Sequence, residues 1–173
     1  IERDPQQGPP HHGLAIVLRT QGKFAEAIAA LETSVRLSPQ SVDAVSDLAL
    51  LLAQCRDKTL RNGARAVMMA QRAVAMAPDN NRNRSALGAA WYQAGNWQES
   101  LDTLQRATDL EPDGNGFNSF IIAMANWQLG DAAAARSSYE LGAQWMARTK
   151  AHGELLLQTH EEAARLLGVE IPR

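Results

Sequence analysis

Three stretches of equal length, "AIAALETSVRLSP", "AVMMAQRAVAMAP" and "SLDTLQRATDLEP", constrain this chain more than any other feature. In each, apolar residues recur at helical spacing along one face, and the run stops at a proline that cannot continue it. The closing residues are Pro39, Pro78 and Pro112, spaced by 39 and then 34 residues. Gly22, Gly95 and Gly130 stand where one helical pattern gives way to the next, a position that favours the left-handed backbone only glycine adopts freely. Gly22 and Gly95 lie 73 residues apart, two periods of 34 plus five, which is the same excess that separates the first two prolines. The chain therefore reads as a repeated helix-turn-helix unit whose second copy carries an insertion.

A unit of this size cannot bury its apolar face alone and is stable only when stacked on its neighbours. The third copy, "NRNRSALGAAWYQAGNWQESLDTLQRATDLEPDG", sets Leu87-Gly88, Trp91, Gly95, Ser100, Leu104, Ala107 and Pro112 at fixed intervals. It resembles the tetratricopeptide repeat, which has a Leu-small pair, an aromatic residue, a small residue opening the second helix and a closing proline. The first copy follows with Leu14-Ala15, Leu18, Gly22, Ala27, Leu31 and Pro39, and the second with Leu48-Ala49, Leu52, Ala66, Ala70, Ala73 and Pro78. In the fourth, Ile122-Ala123, Gly130, Ala135, Tyr139 and Gly142 fit, whereas Asn126 takes the aromatic slot and Ala147 replaces the proline, so its second helix should run on to about Thr149.

The resemblance implies an all-α fold, a right-handed superhelix of stacked helical hairpins (an α-solenoid). Its units fall at 9–40, 41–80 with the five-residue insertion, 81–114 and 115–150. Pro5, Pro9 and Pro10 mark residues 1–8 as an extended lead-in, and the apolar spacing of Leu155, Leu156, Thr159, Ala163 and Leu166 predicts a capping helix over 151–168, with a tail at 169–173. The second and fourth units are also similar to repeat arrays of large bacterial multidomain proteins, often linked to Ser/Thr protein kinase modules.

Composition excludes several functions. A net charge of -2 and a pI near 6.1 provide no general attraction to nucleic acid. No apolar run is long enough for membrane insertion, and "IERDPQQGPPHH" is polar rather than a secretion signal. The first residue is not Met, so the chain is expected to be part of something longer. A single cysteine suits a reducing compartment, the cytoplasm being the expectation.

Catalytic chemistry finds little support. Cys55 sits among Arg56, Lys58, Arg61 and Arg65, and cations lower a thiol pKa, but no histidine lies near it in sequence to serve as a base. The insertion is read as a lengthened turn whose cations face water. His11-His12 point in different directions, and His152 and His160, eight apart on a helix, are separated by about 12 Å, so neither pair alone holds a metal. "GNGFNS" lacks the glycines of a dinucleotide loop and follows a helix rather than a strand. No enzyme, cofactor or metal is expected.

The working surface implied by the resemblance is the concave groove lined by the first helix of each unit. The family's lining positions carry over to His12, Ile16 and Arg19, then Ser46, Leu50 and Gln54, then Arg82, Ser85, Ala89, Tyr92 and Gln93, and finally Phe120, Met124, Trp127 and Gln128, with Phe117 close by. A subgroup clamps a terminal carboxylate with Lys, Asn and Arg, but here those positions hold His12, Ile16, Asp47, Arg82 and Ala86, of which only Arg82 suits. The expected activity is non-enzymatic binding of a peptide or partner domain. Phe117, Phe120, Met124, Trp127 and Tyr92 would supply apolar contacts, and Arg82, Ser85, Gln93 and Gln128 polar ones, because aromatic and Met side chains dominate interface energetics. The alternative is a structural arm that self-associates through the same patch, a homo-oligomer. The closing helix competes for Phe120, Met124 and Trp127.

Overall fold

A computed structural model describes residues 8–109, 111 and 114–171; the expected lead-in up to residue 7, the closing Pro112 and the last two residues of the tail lie outside the described residues. Among the described residues the secondary structure is entirely helical: α1 Gly8–Thr20, α2 Phe24–Leu37, α3 Val42–Gln54, α4 Gly63–Met76, α5 Asn81–Gln93, α6 Trp97–Asp109, α7 Gly116–Gln128, α8 Ala132–Thr149 and α9 Glu154–Leu167. Consecutive helices pair as α1 with α2, α3 with α4, α5 with α6 and α7 with α8, and each second helix packs on the first helix of the next pair. This is an all-α repeat solenoid.

Small side chains let the pairs cross closely. Ala15, Ala49 and Ala123 on first helices and Ala27, Ala66, Ser100 and Ala135 on second helices are all buried. Gly88 completes the set: a Cβ there would strike Leu104, and its carbonyl accepts a 2.8 Å bond from Ser100 Oγ. The turns between paired helices pass through Gly22, Gly95 and Gly130 at φ of 75°, 82° and 86°, backbone that L side chains rarely adopt.

Two local expectations change. Pro9 and Pro10 belong to α1 rather than to an extended lead-in, because in the first turn of a helix proline removes no intrahelical bond. The insertion is more built than a plain turn. α3 ends at Gln54, a short 3₁₀ turn spans Lys58–Leu60 under an Asp57 cap, and Asn62 Oδ1 accepts from Arg65 N at 3.1 Å to open α4. Asn62 N in turn donates 2.9 Å to Leu52 O, closing the loop on itself. Gly63 then meets the end of α5 so closely that a Cβ would lie 2.6 Å from Ala94 Cα.

Successive first helices form the inner face: α3 packs on α5, α5 on α7 and α7 on α9, but α1 and α3 scarcely touch. α9 rests mainly on α7 and only lightly on α8, so it does more than close the end of the stack. Its Gln158 Nε2 donates 2.8 Å to Gln54 O of α3, and Glu162 pairs with Arg61 of the inserted loop. The helix thus reaches from the fourth unit back to the second, across the face that the first helices line.

Candidate functional site

The path of α9 decides which groove residues remain accessible. Phe120 is fully buried and Met124 2% exposed, which corrects the expectation that they serve as partner contacts. The Phe120 ring fills the space over Gly142, where a Cβ would come within 2.7 Å of it, and stacks on His160 of α9 with centroids 4.8 Å apart. His160 Nε2 also bonds Tyr139 Oη at 2.7 Å. Burial holds the His160 pKa below its ordinary value, partly opposed by the Glu161 charge, so the ring accepts the phenol proton in its neutral form. Phe117 and Trp127 are half-buried against the core.

Other predicted residues are engaged nearby. Arg82 Nη2 bonds Asp47 Oδ1 at 2.6 Å while His12 Nε2 bonds Asp47 Oδ2 at 2.8 Å, so the guanidinium is tied to the second unit rather than free for an acidic ligand. Ser85 is buried, with no partner for its Oγ. Tyr92, Gln93 and Gln128 do come together. Burial raises the Tyr92 pKa, so it stays a neutral phenol, with Gln128 hydrogen-bonded to its side chain. Gln93 Oε1 accepts 3.4 Å from Arg61 Nη1.

These residues border an open cleft of about 360 Å³ walled by Lys58, Arg61, Tyr92, Gln93, Gly95, Trp97 and Glu162. It continues into a neighbouring hollow of about 310 Å³ where Tyr92, Met124 and Lys58 face Glu162, Arg165 and Leu166 of α9. Its floor is the Arg61–Glu162 fork, with Nη1···Oε2 at 3.1 Å and Nη2···Oε1 at 2.5 Å, the Arg61 side chain only 6% exposed. Arg61 Nε donates a further 2.7 Å bond to Cys55 O. The expectation that the cations of the insertion face water therefore fails at Arg61, which links loop, α5 and α9; Lys58 and Arg56 are exposed.

Sequence reasoning missed Lys58, Arg61, Trp97 and the α9 residues of this cleft. The signal lay in the position of the insertion, which follows a first helix on the same rim as Tyr92 and Gln93. A second signal lay in Gln158, Glu162, Arg165 and Leu166, a mixed stripe beside the apolar face of α9. Cys55 is 1% exposed, and burial, the largest influence, pushes its thiol pKa up, outweighing the contribution of Arg61. Among the described residues no cluster of His, Cys, Asp and Glu is arranged to hold a metal, and no helix is long and apolar enough to cross a membrane.

The fold has close parallels among solved structures. The chain is 18% identical to MamA 41-end from Desulfovibrio magneticus RS-1, with a TM-score of 0.69 over 85% of this chain and 80% of that one. The thermophilic TPR protein TTC0263 of Thermus thermophilus is 16% identical at a TM-score of 0.65, covering 92% of this chain and 91% of that one. The first TPR of Spaghetti (RPAP3), solved bound to the HSP90 peptide SRMEEVD, is 21% identical at a TM-score of 0.61, covering 75% and 98%. At such identities the likeness is one of fold. No curated protein matches the chain in sequence. The tetratricopeptide repeat profile matches residues 12–59 and 57–115, more than half the chain, and with the small-residue crossings and glycine turns it settles the matter: this chain belongs to the tetratricopeptide repeat family.

Proposed function

We propose that the protein is a non-enzymatic interaction module and scaffold that docks a peptide or partner domain in the cleft at the end of α5. The observation that carries this reading is the cleft itself, in which the half-buried Tyr92 ring and Leu166 lie beside two cations, Lys58 and Arg165, that have no ion-pair partner among the described residues. Such a surface suits a segment that offers one apolar anchor and an acidic side chain, since a desolvated aromatic contributes most of the affinity and the exposed charges set orientation. Gln93 and Gln128 supply polar contacts at the rim, and Trp127 extends the surface along the last turn of α7. Arg82 and Ser85 lie about 15 Å away along α5 and are peripheral to it.

The test is direct. Peptides selected from a displayed random library against the intact chain are titrated by fluorescence polarisation. Tyr92→Ala should weaken binding at least about tenfold, as expected for an aromatic anchor, and Lys58→Glu somewhat less. Equal affinity for both variants sinks the assignment.

Self-association is a second reading, favoured by one observation. Leu14, Ile16 and Val17 of α1 are 48%, 42% and 50% exposed, an apolar strip that a second copy would cover. Light scattering across a hundredfold concentration range separates the readings: a constant monomer mass removes the second.

A further inference from the structure

A cavity of about 250 Å³ opens in the gap between α1 and α3, on the far side of α9 from the docking cleft and sharing no lining residue with it. Its walls are apolar: Phe24, Leu50, Leu51 and Leu155. Into this lining the fold sets Gln54, 3% exposed, whose Nε2 and Oε1 both lack a hydrogen-bond partner. A buried amide left without partners is destabilising by roughly 1–3 kcal/mol for each unsatisfied group, so a fold that retains one at a cavity wall calls for a ligand to pair it. At the rim stand Arg19 and Arg56, both exposed and both without an ion-pair partner among the described residues. Beside them α9 begins at Gly153 with no side-chain cap, leaving its first amides free to face an anion.

The carbonyl end of α3, which would repel an anion, is already occupied. Leu52 O accepts from Asn62 N, Gln54 O from Gln158 Nε2 and Cys55 O from Arg61 Nε, at 2.9, 2.8 and 2.7 Å. Of the lining side chains only Glu154 is acidic, against the two guanidinium groups. The volume falls just below the range of about 300–1,000 Å³ usual for drug-sized ligands, which limits the occupant to something smaller.

We propose that this cavity binds a single apolar residue carrying an amide and a free carboxylate, an N-acylated apolar amino acid. The amide pairs with Gln54, donating to Oε1 and accepting from Nε2. The side chain fills the space between Phe24, Leu50 and Leu155, and the carboxylate lies between Arg19, Arg56 and the start of α9. The same chemistry exists as a free small molecule and at the C-terminal end of a peptide chain. Neither the residues nor the place are those of the first-helix carboxylate clamp, for which this sequence has only Arg82.

The probe is N-acetyl-L-leucine, titrated calorimetrically into the intact chain. One saturable site is expected, with N-acetyl-L-leucinamide and hexanoate, which lack the carboxylate and the amide, each binding about tenfold more weakly, the equivalent of one good hydrogen bond to a charged or buried group. Gln54→Leu should abolish binding while raising the melting temperature of the unliganded protein, because it removes the orphaned amide. If that variant does not fold, the exposed pair Arg19→Met with Arg56→Met should weaken binding about tenfold with no change in melting. A short peptide ending in leucine identifies the source: binding tighter than N-acetyl-L-leucine marks a chain end, and no binding by the peptide while N-acetyl-L-leucine binds marks a free acid. No saturable binding of N-acetyl-L-leucine, affinity unchanged in the variants, or hexanoate binding as tightly, overturns the proposal.

Discussion

The two ends of the array are joined by different physics. At the C-terminal end, α7, α8 and α9 close on one another through the Phe120, Tyr139 and His160 rings set over Gly142, with Ala123, Ala135 and Ala163 buried between them. At the N-terminal end, α1 and α3 scarcely touch. The contacts that tie the second unit across the array are polar: His12 and Arg82 on Asp47, Gln158 on Gln54, and Glu162 on Arg61. Small residues at the crossing within each unit fix the hairpins equally throughout. What varies is the contact between successive first helices. Ser46, Ala86 and Ala89 let α3 and α5 approach, whereas Ile16, Arg19, Leu50 and Gln54 are long and keep α1 off α3, leaving the cavity. The spacing along a repeat array is thus set by side-chain length on the inner face, and binding space appears where that length is greatest.

The comparison is most exposed to failure at Phe120. Truncation to Ala removes a fully buried ring that α8 and α9 share, and should destabilise by about 3–5 kcal/mol, read as a fall in the urea midpoint. A loss below about 1 kcal/mol would mean that this end is not held by packing. Arg61→Met, at the polar end, leaves Glu162 largely buried without its partner and is expected to lose about 1.5–3 kcal/mol. Adding Glu162→Leu should restore most of it, because a buried ion pair is replaced by apolar contact. Hydrogen exchange then distinguishes the ends: Arg61→Met should accelerate exchange in α9 while α6 stays protected.

The hairpins were legible because the repeat writes the same local instructions several times: Ala27, Ala66, Ser100 and Ala135 announce the crossings, and Gly22, Gly95 and Gly130 the turns. The long α8 followed from Ala147 standing where a proline would stop the helix. The accessible site was only partly legible. Tyr92, Gln93 and Gln128 lie on a repeat position and could be placed by register, but Arg61, Lys58 and Glu162 belong to an insertion and a terminal helix, for which the repeat offers no register. Phe120 and Met124 were assigned to a groove that α9 covers; its direction of approach depends on long-range pairs such as Arg61 with Glu162, 101 residues apart. Periodicity is blind to such contacts.

A smaller effect tests whether the inserted loop is part of the fold or merely tolerated by it. Asn62→Ala removes the side-chain cap of α4 and should destabilise by about 1 kcal/mol. Asp131→Ala, which removes the equivalent 2.9 Å bond to Ala134 N at the start of α8, serves as the reference. Similar losses from both variants, measured by thermal unfolding, place the insertion on the same footing as a regular turn. A negligible loss at Asn62 alone would separate the loop from the cooperative unit.

The smallest expected effect concerns pH and the stacked end. Burial lowers the His160 pKa in the folded chain below its ordinary value near 6.5, so between those two values the unfolded chain binds the extra proton. Stability is therefore complete above the ordinary histidine range and declines as pH falls through it, because protonation removes the acceptor of the Tyr139 hydroxyl and places a charge against Phe120. Asp57 contributes separately and at lower pH. Hydrogen bonds from the Thr59 side chain and backbone hold its carboxyl below the usual range, so its share is lost only as pH falls through the carboxylate region. Urea midpoints of the wild type and of His160→Gln, which keeps an acceptor but cannot titrate, isolate the histidine. The wild type should lose stability between about pH 7 and pH 5.5 and the variant distinctly less. Parallel curves would show that His160 titrates alike in both states, and that the C-terminal end is no drier than the polar end it is contrasted with.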